Sequence, residues 1–141
     1  MDVRDAVEAD AERLGELADG PRDVMRNLIH DRTVRVTVES PGEDEETVTG
    51  FVSFDAREGT VHVTQLAGHS DALNRLLEEP ISFAEREGMS VELLVPENES
   101  AVREAAEGAD FSNVGSGPRF EGTPTTRYRL DSDSGRREGT R

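Results

Sequence analysis

Apolar and polar positions change period several times along the chain, and each change marks an element. "MDVRDA" is predicted as a short first strand. In "ADAERLGELA" the residues Ala11, Leu14, Leu17 and Ala18 fall on one helical face, and Gly20 followed by Pro21 closes that helix and opens another. Within "PRDVMRNLIHD", Val24, Met25, Leu28 and Ile29 keep helical spacing, with Pro21 suited to the first turn. The period then drops to two. In "TVRVTVE", Val34, Val36 and Val38 alternate with Arg35 and Thr37, which predicts a half-buried strand. After the acidic turn "SPGEDEE" comes "TVTGFVSFD", with Val48, Val52 and Phe54 expected on one face, then "AREG" and a third strand, "TVHVTQL". Three strands joined by short turns predict an antiparallel meander.

Helical spacing returns in "SDALNRLLEEPISFAEREG" through Leu73, Leu76, Leu77, Pro80, Phe83 and Ala84, with a kink expected at Pro80 and a stop at Gly88. "SVELLVP" is a nearly continuous apolar run, suited to a central strand buried on both faces. "NESAVREAAEG" reads as a helix with Asn98 suited to its N-cap and Ala101, Val102, Ala105 and Ala106 facing inward. "FSNVG" and "TTRYRL" are predicted as closing strands. The tail, residues 132–141, has no apolar residue and is expected to be disordered, which confines a single domain to residues 1–131.

Composition narrows the function classes. A chain of 141 residues suits one core. Without cysteine there are no disulfides and no thiolate metal sites. The first residues lack the basic and apolar segments of a signal peptide, and no apolar run approaches membrane-spanning length, so a soluble cytoplasmic protein with no membrane partner is expected. Acidic residues number 31 against 16 basic ones, a net charge of −15, and every basic residue is arginine. An acidic, lysine-free chain with few large apolar residues looks like adaptation to a very salty cytoplasm, such as that of a halophilic archaeon, because molar salt screens charges beyond roughly 3 Å. Leu, Ile, Val and Phe together stand barely above the roughly 20% level below which highly charged chains fail to fold, but the periodicity argues for a folded domain. Nucleic acid is not an expected partner, since arginine is dispersed and forms no basic stripe.

The order of elements is strand, two helices, a three-strand meander, helix, central strand, helix and two closing strands. That order, with "VRDAVEADAERLGELA", "GFVSF", "LLEEPISFAEREGMSVELLVPEN" and "FSNVGSGPRFEGTPTTRYRL", resembles the GNAT superfamily of acetyl-CoA-dependent N-acetyltransferases over residues 1 to 131. The resemblance implies an α/β (α+β) fold, a mixed central sheet in which an antiparallel meander is followed by strand-helix-strand, flanked by about four helices. It also implies acetyl-CoA as cofactor, an amine as acceptor, and a monomer or homodimer.

In that family the fourth strand ends at a splayed point where acetyl-CoA pairs with strand backbone, and a turn of the form Q/R-x-x-G-x-G/A wraps the pyrophosphate at the start of the next helix. The resemblance carries the pantetheine contact onto the backbone of Leu66 and Ala67, the surviving phosphate contact onto Gly68, His69 and Ser70, and an outer contact onto Asn98. Residues 65–71 read "QLAGHSD": Gln65 and Gly68 match the first two fixed positions, while position 70 is serine. The turn is shorter than the family's by roughly five residues, which removes most of the amides an anion nest would use. Ser70 suits either helix capping or donation to an anion, Asp71 places negative charge in the first turn, and Arg75 is the nearby cation.

Family members often use a tyrosine on the last helix to protonate the departing thiolate, a place held here by Ala105 and Ala106. The single tyrosine, Tyr128, lies on the final strand and reads as a substitute acid or as a packing residue with its hydroxyl in water. His62, opposite Val61 and Val63 on the meander's third strand, is a candidate base or a surface residue. His30 and His69 are isolated and have no ligand spacing for a metal. "GSGPRFEGTPTTRYRL" reads as a loop between the last two strands and a candidate lid over an acceptor groove, with Arg119, Arg127 and Arg129 either attracting an acidic ligand or pairing with carboxylates across strands. Three functions remain open: an acetyltransferase, a GNAT-fold module that binds or regulates without catalysis, and a domain whose sheet edges form a dimer.

Overall fold

In the computed structural model, which describes residues 1–42 and 45–131, every predicted element forms in the predicted order. The elements are β1 (Asp2–Asp5), α1 (Ala11–Ala18), α2 (Arg22–Asp31), β2 (Thr33–Gly42), β3 (Glu45–Arg57), β4 (Thr60–Gly68), α3 (Ser70–Glu87), β5 (Ser90–Pro96), α4 (Ser100–Gly108), β6 (Ser112–Ser116) and β7 (Thr125–Leu130). The meander strands run longer than their alternating cores because hydrogen bonding continues into the flanking polar residues. Glu43 and Asp44 of the acidic turn, and the tail predicted to be disordered, lie outside the described residues.

The seven strands form one sheet in the order β1-β2-β3-β4-β5-β7-β6, antiparallel throughout except between β4 and β5. Helix α3 is the crossover that a parallel pair requires. It runs unbroken through the buried Pro80. Its apolar stripe, Leu73, Leu76 and Leu77, packs with α4 on Phe54, Val61, Val63, Val91 and Leu93. On the other face, α1 and α2 cover Val34, Val36, Val38, Val48 and Phe51.

Three expectations from spacing are corrected. Val48 does not share a face with Val52 and Phe54: Val38 pairs with Val48 but Thr37 with Gly50, so Thr49 is an extra residue that moves Val48 to the face of Phe51. Val24 on α2 and Ala101 on α4 are exposed, because each helix seats only a narrow strip: Met25 with the partly buried Leu28 and Ile29 on α2, and Val102, Ala105 and Ala106 on α4. Strand β5 is central but not buried on both faces. Val91, Leu93 and Val95 enter the core, whereas Glu92 is half-buried and Leu94 is 38% exposed. Helices α1 and α2 rest on β2, β3 and β4 and leave β5 and β7 uncovered on that side. No helix among the described residues is long and apolar enough to cross a membrane.

Candidate functional site

Strands β4 and β5 pair from Thr60↔Ser90 to Val63↔Leu93 and then part. Beyond that point β4 runs to Gly68 against β3 alone, and β5 runs to Pro96 against β7 alone. The fork has a local cause. Phe54 pairs with Val63 and Ser53 with Gln65, so Thr64 is a bulge. Its hydroxyl donates to the Ser53 carbonyl at 3.2 Å and lies 2.6 Å from the Ser53 hydroxyl, which is fully buried. A bulge bends its strand and adds twist, and here β4 leaves β5 at the bulged residue. Backbone groups of residues 64–68 that would meet β5 in a closed sheet are therefore left as an internal edge, able to pair with an extended ligand.

At the open end of the fork, the connection from β4 to α3 is a single residue, His69. His69 occupies the N-cap without a side-chain capping bond, and Ser70 is the first helical residue, so Ser70 is not the cap. Asp71 sits in the first turn, and Arg75 is held by Glu78 at 3.4 Å and Glu79 at 3.1 Å. Gly68 adopts φ +142°, and a Cβ there would lie 3.0 Å from both Gly50 Cα and the Thr49 carbonyl. Its glycine is thus explained by packing of β4 on β3 and α3. Asn98 is exposed in the turn after β5 and is not a cap either; Glu99 holds that place. The Asn98 side chain makes no hydrogen bond among the described residues.

His62, half-buried, lies one residue before the last β4–β5 pair on the side of the sheet that carries α1 and α2, next to the part of β5 that those helices do not cover. Its cross-strand neighbours are Asp55 on β3 and Glu92 on β5. Asp55 is paired with Arg32, and Glu92 accepts from Arg127 at 3.3 Å and Arg129 at 2.5 Å. The β6–β7 loop borders the same face. Gly117 stands against Leu94, since a Cβ there would lie 2.7 Å from Leu94 Cδ2, and Thr125 donates to the Pro118 carbonyl at 2.6 Å. Arg119 is exposed and donates one N–H to the Gly122 carbonyl. Phe120, at the loop's tip, is 67% exposed.

Tyr128 departs from the expectation of a hydroxyl in water. It is buried among the side chains under α3 and α4, and its hydroxyl donates to Glu107 Oε2 at 2.9 Å. Burial first, and then the Glu107 acceptor, push its pKa upward. Glu107 is next to last in α4, a helix that begins beyond the open end of the fork and runs back. The hydroxyl is therefore turned toward the closed end.

The structure brings together Leu66, Ala67, Gly68, His69 and Ser70 along one arm of the fork, with Asn98 after the other arm and His62 just below the apex. Spacing reasoning missed Thr64, Ser53 and the two carboxylates beside His62. A signal for the bulges was present: apolar positions slip from a period of two to three between Val48 and Phe51 and between Val63 and Leu66.

No family model matches the chain, and no curated protein matches it. Solved structures do. A proposed acetyltransferase of the GNAT family from Desulfovibrio desulfuricans superposes with a TM-score of 0.72 at 19% identity, covering 92% of this chain and 98% of its own. A proposed acetyltransferase from Salmonella typhimurium, solved with its cofactor acetyl-CoA, gives 0.74 at 18% identity, with 94% of each chain covered. Ard1 from Thermoplasma volcanium gives 0.75 at 13% identity, covering 93% of this chain and 97% of its own. The fold is that of the GNAT acetyltransferases.

Proposed function

We propose that this protein transfers an acetyl group from acetyl-CoA to an amine. The observation that carries the reading is the β4–β5 fork, an unpaired strand edge that opens just beyond His62 and beside the uncovered side of β5. The pantetheine arm of the cofactor has two amides in an extended chain, which suits the open backbone of Leu66 and Ala67. His69 and Ser70 border the arm's outer end, Gly68 shapes the strand there, and Asn98 follows the end of β5 across the fork.

When bound, the thioester supplies the acetyl group to the attacking amine. Open amides near the bulge orient the arm. His62 takes the proton that the amine loses; its strand neighbours Asp55 and Glu92 are engaged by Arg32 and by Arg127 and Arg129, which leaves the imidazole available as base. Leu94 and the β6–β7 loop exclude water from one side of the acceptor groove. Tyr128 serves packing, and the departing thiolate takes its proton from water.

A second reading, a GNAT-fold module that binds or regulates without catalysis, is favoured by the one-residue connection at His69. Calorimetric titration of acetyl-CoA in molar potassium chloride, followed by thiol release on a panel of amines, separates the two. Saturable binding with turnover supports the enzyme; absence of both supports the module. The acidic, lysine-free composition supports a halophilic, cytoplasmic setting, and circular dichroism that showed full structure without salt would contradict it.

A further inference from the structure

The two ends of the fork are built for different chemistry. Along β4, unpaired backbone groups from Thr64 to Gly68 offer hydrogen bonds to a neutral, extended amide chain. At the outer end, where a nucleotide diphosphate would follow, the connection has shrunk to His69. On the β4 side the first-turn amides of α3 follow directly, and Asp71 stands among them. Arg75 is already engaged by Glu78 and Glu79, and the turn after β5 adds the exposed Glu97 and Glu99. A diphosphate placed there would meet carboxylates on both arms of the fork, within a molecule of net charge −15.

Taking the proposed acetyl-transfer site as given, we propose that it recognises its acyl donor by the pantetheine arm and gains little from the nucleotide. The ligand class is an acyl-pantetheine thioester, of which acetyl-CoA is one member. Gly68 is no counter-evidence, since its backbone conformation and its contact with Gly50 account for it without a phosphate.

The experiment compares acetyl-CoA with S-acetyl-pantetheine, an uncharged thioester, by calorimetric titration of the full chain. Titrations run from moderate to molar potassium chloride, within the range where circular dichroism is unchanged. We expect the two dissociation constants to agree within tenfold at molar salt. We also expect acetyl-CoA to bind more tightly as salt rises, because screening relieves repulsion, while S-acetyl-pantetheine stays constant. A loss of more than tenfold on removing the nucleotide, or acetyl-CoA binding that weakens with salt as at a cationic cradle, overturns this inference and leaves the acetyltransferase reading standing. Absence of binding by both thioesters overturns that reading, and this inference with it.

Discussion

Thr64 and Ser53 hold each other through a hydroxyl pair of 2.6 Å at the residue where β4 bulges away from β5. One hydroxyl in this pair is fully buried, so its partner's removal leaves an unsatisfied group. Thr64→Val and Ser53→Ala should each lower stability by about 1–2 kcal/mol. The double variant should cost less than the sum, because both changes remove one interaction. Denaturant unfolding in molar potassium chloride reads all three, and additive losses would show that the hydroxyls act independently.

Glycine is needed at position 68 for two reasons, conformation and space, whereas at Gly59 only the first applies. Gly59 has φ +80° and nothing within 4 Å of an added Cβ, while at Gly68 the Cβ would press on Gly50 and on Thr49. Gly59→Ala should cost about 1 kcal/mol and Gly68→Ala at least about 2 kcal/mol more. Equal losses would mean that β4 shifts freely at this point. Substituting Gly68 is consequently a poor probe of ligand binding.

Asp10 ties the entry of α1 to β1. Burial raises its pKa, but Arg4, which donates to both oxygens, and the Val7 N–H lower it further, and the net direction is down. A depressed carboxyl contributes stability that is complete above its unfolded value, about 3.9, and is lost as pH falls through the folded value. Asp10→Asn should lower stability near neutral pH by about 1–3 kcal/mol and flatten the acid limb below about pH 4. An unchanged acid limb would remove Asp10 from the account.

Tyr128 behaves oppositely with pH. Its raised pKa means that the folded state keeps a proton the unfolded state gives up, so its contribution is intact below about pH 10 and declines above. Tyr128→Phe should reduce this alkaline decline and cost about 1 kcal/mol. Acetyl transfer, once assayed, should stay within about threefold, whereas loss of a general acid would cost about a hundredfold or more. His62→Gln should show that larger loss with thioester binding retained.

Much of the fold was legible because apolar periodicity and Gly or Pro punctuation are local signals. Leu14 and Leu73 announce their faces, and Gly88 ends α3 in a left-handed conformation as a C-cap glycine does. Faces governed by what another element covers were not legible. Leu94 belongs to an apolar run yet is exposed because, among the described residues, α1 and α2 rest on β2, β3 and β4 and not on β5, and Val48 changes face through one extra residue. At the site, the arm at Leu66 and Ala67 was singled out by the resemblance to the GNAT superfamily and not by spacing. The neighbours of His62 were not legible, since Asp55 and Glu92 meet it through strand register between distant segments. Tyr128's partner was hidden for the same reason, being set by how α4 lies on β7.

The central claim, that the fork is where a thioester pairs with β4, is tested most directly by following backbone amides on titrating S-acetyl-pantetheine into isotope-labelled protein in molar potassium chloride. The account predicts saturable shifts and slowed hydrogen exchange concentrated between Thr64 and Gly68, with smaller changes at Leu94 and Asn98. Saturable shifts that leave Thr64 to Gly68 untouched and fall elsewhere, or no shifts at millimolar ligand, would contradict it.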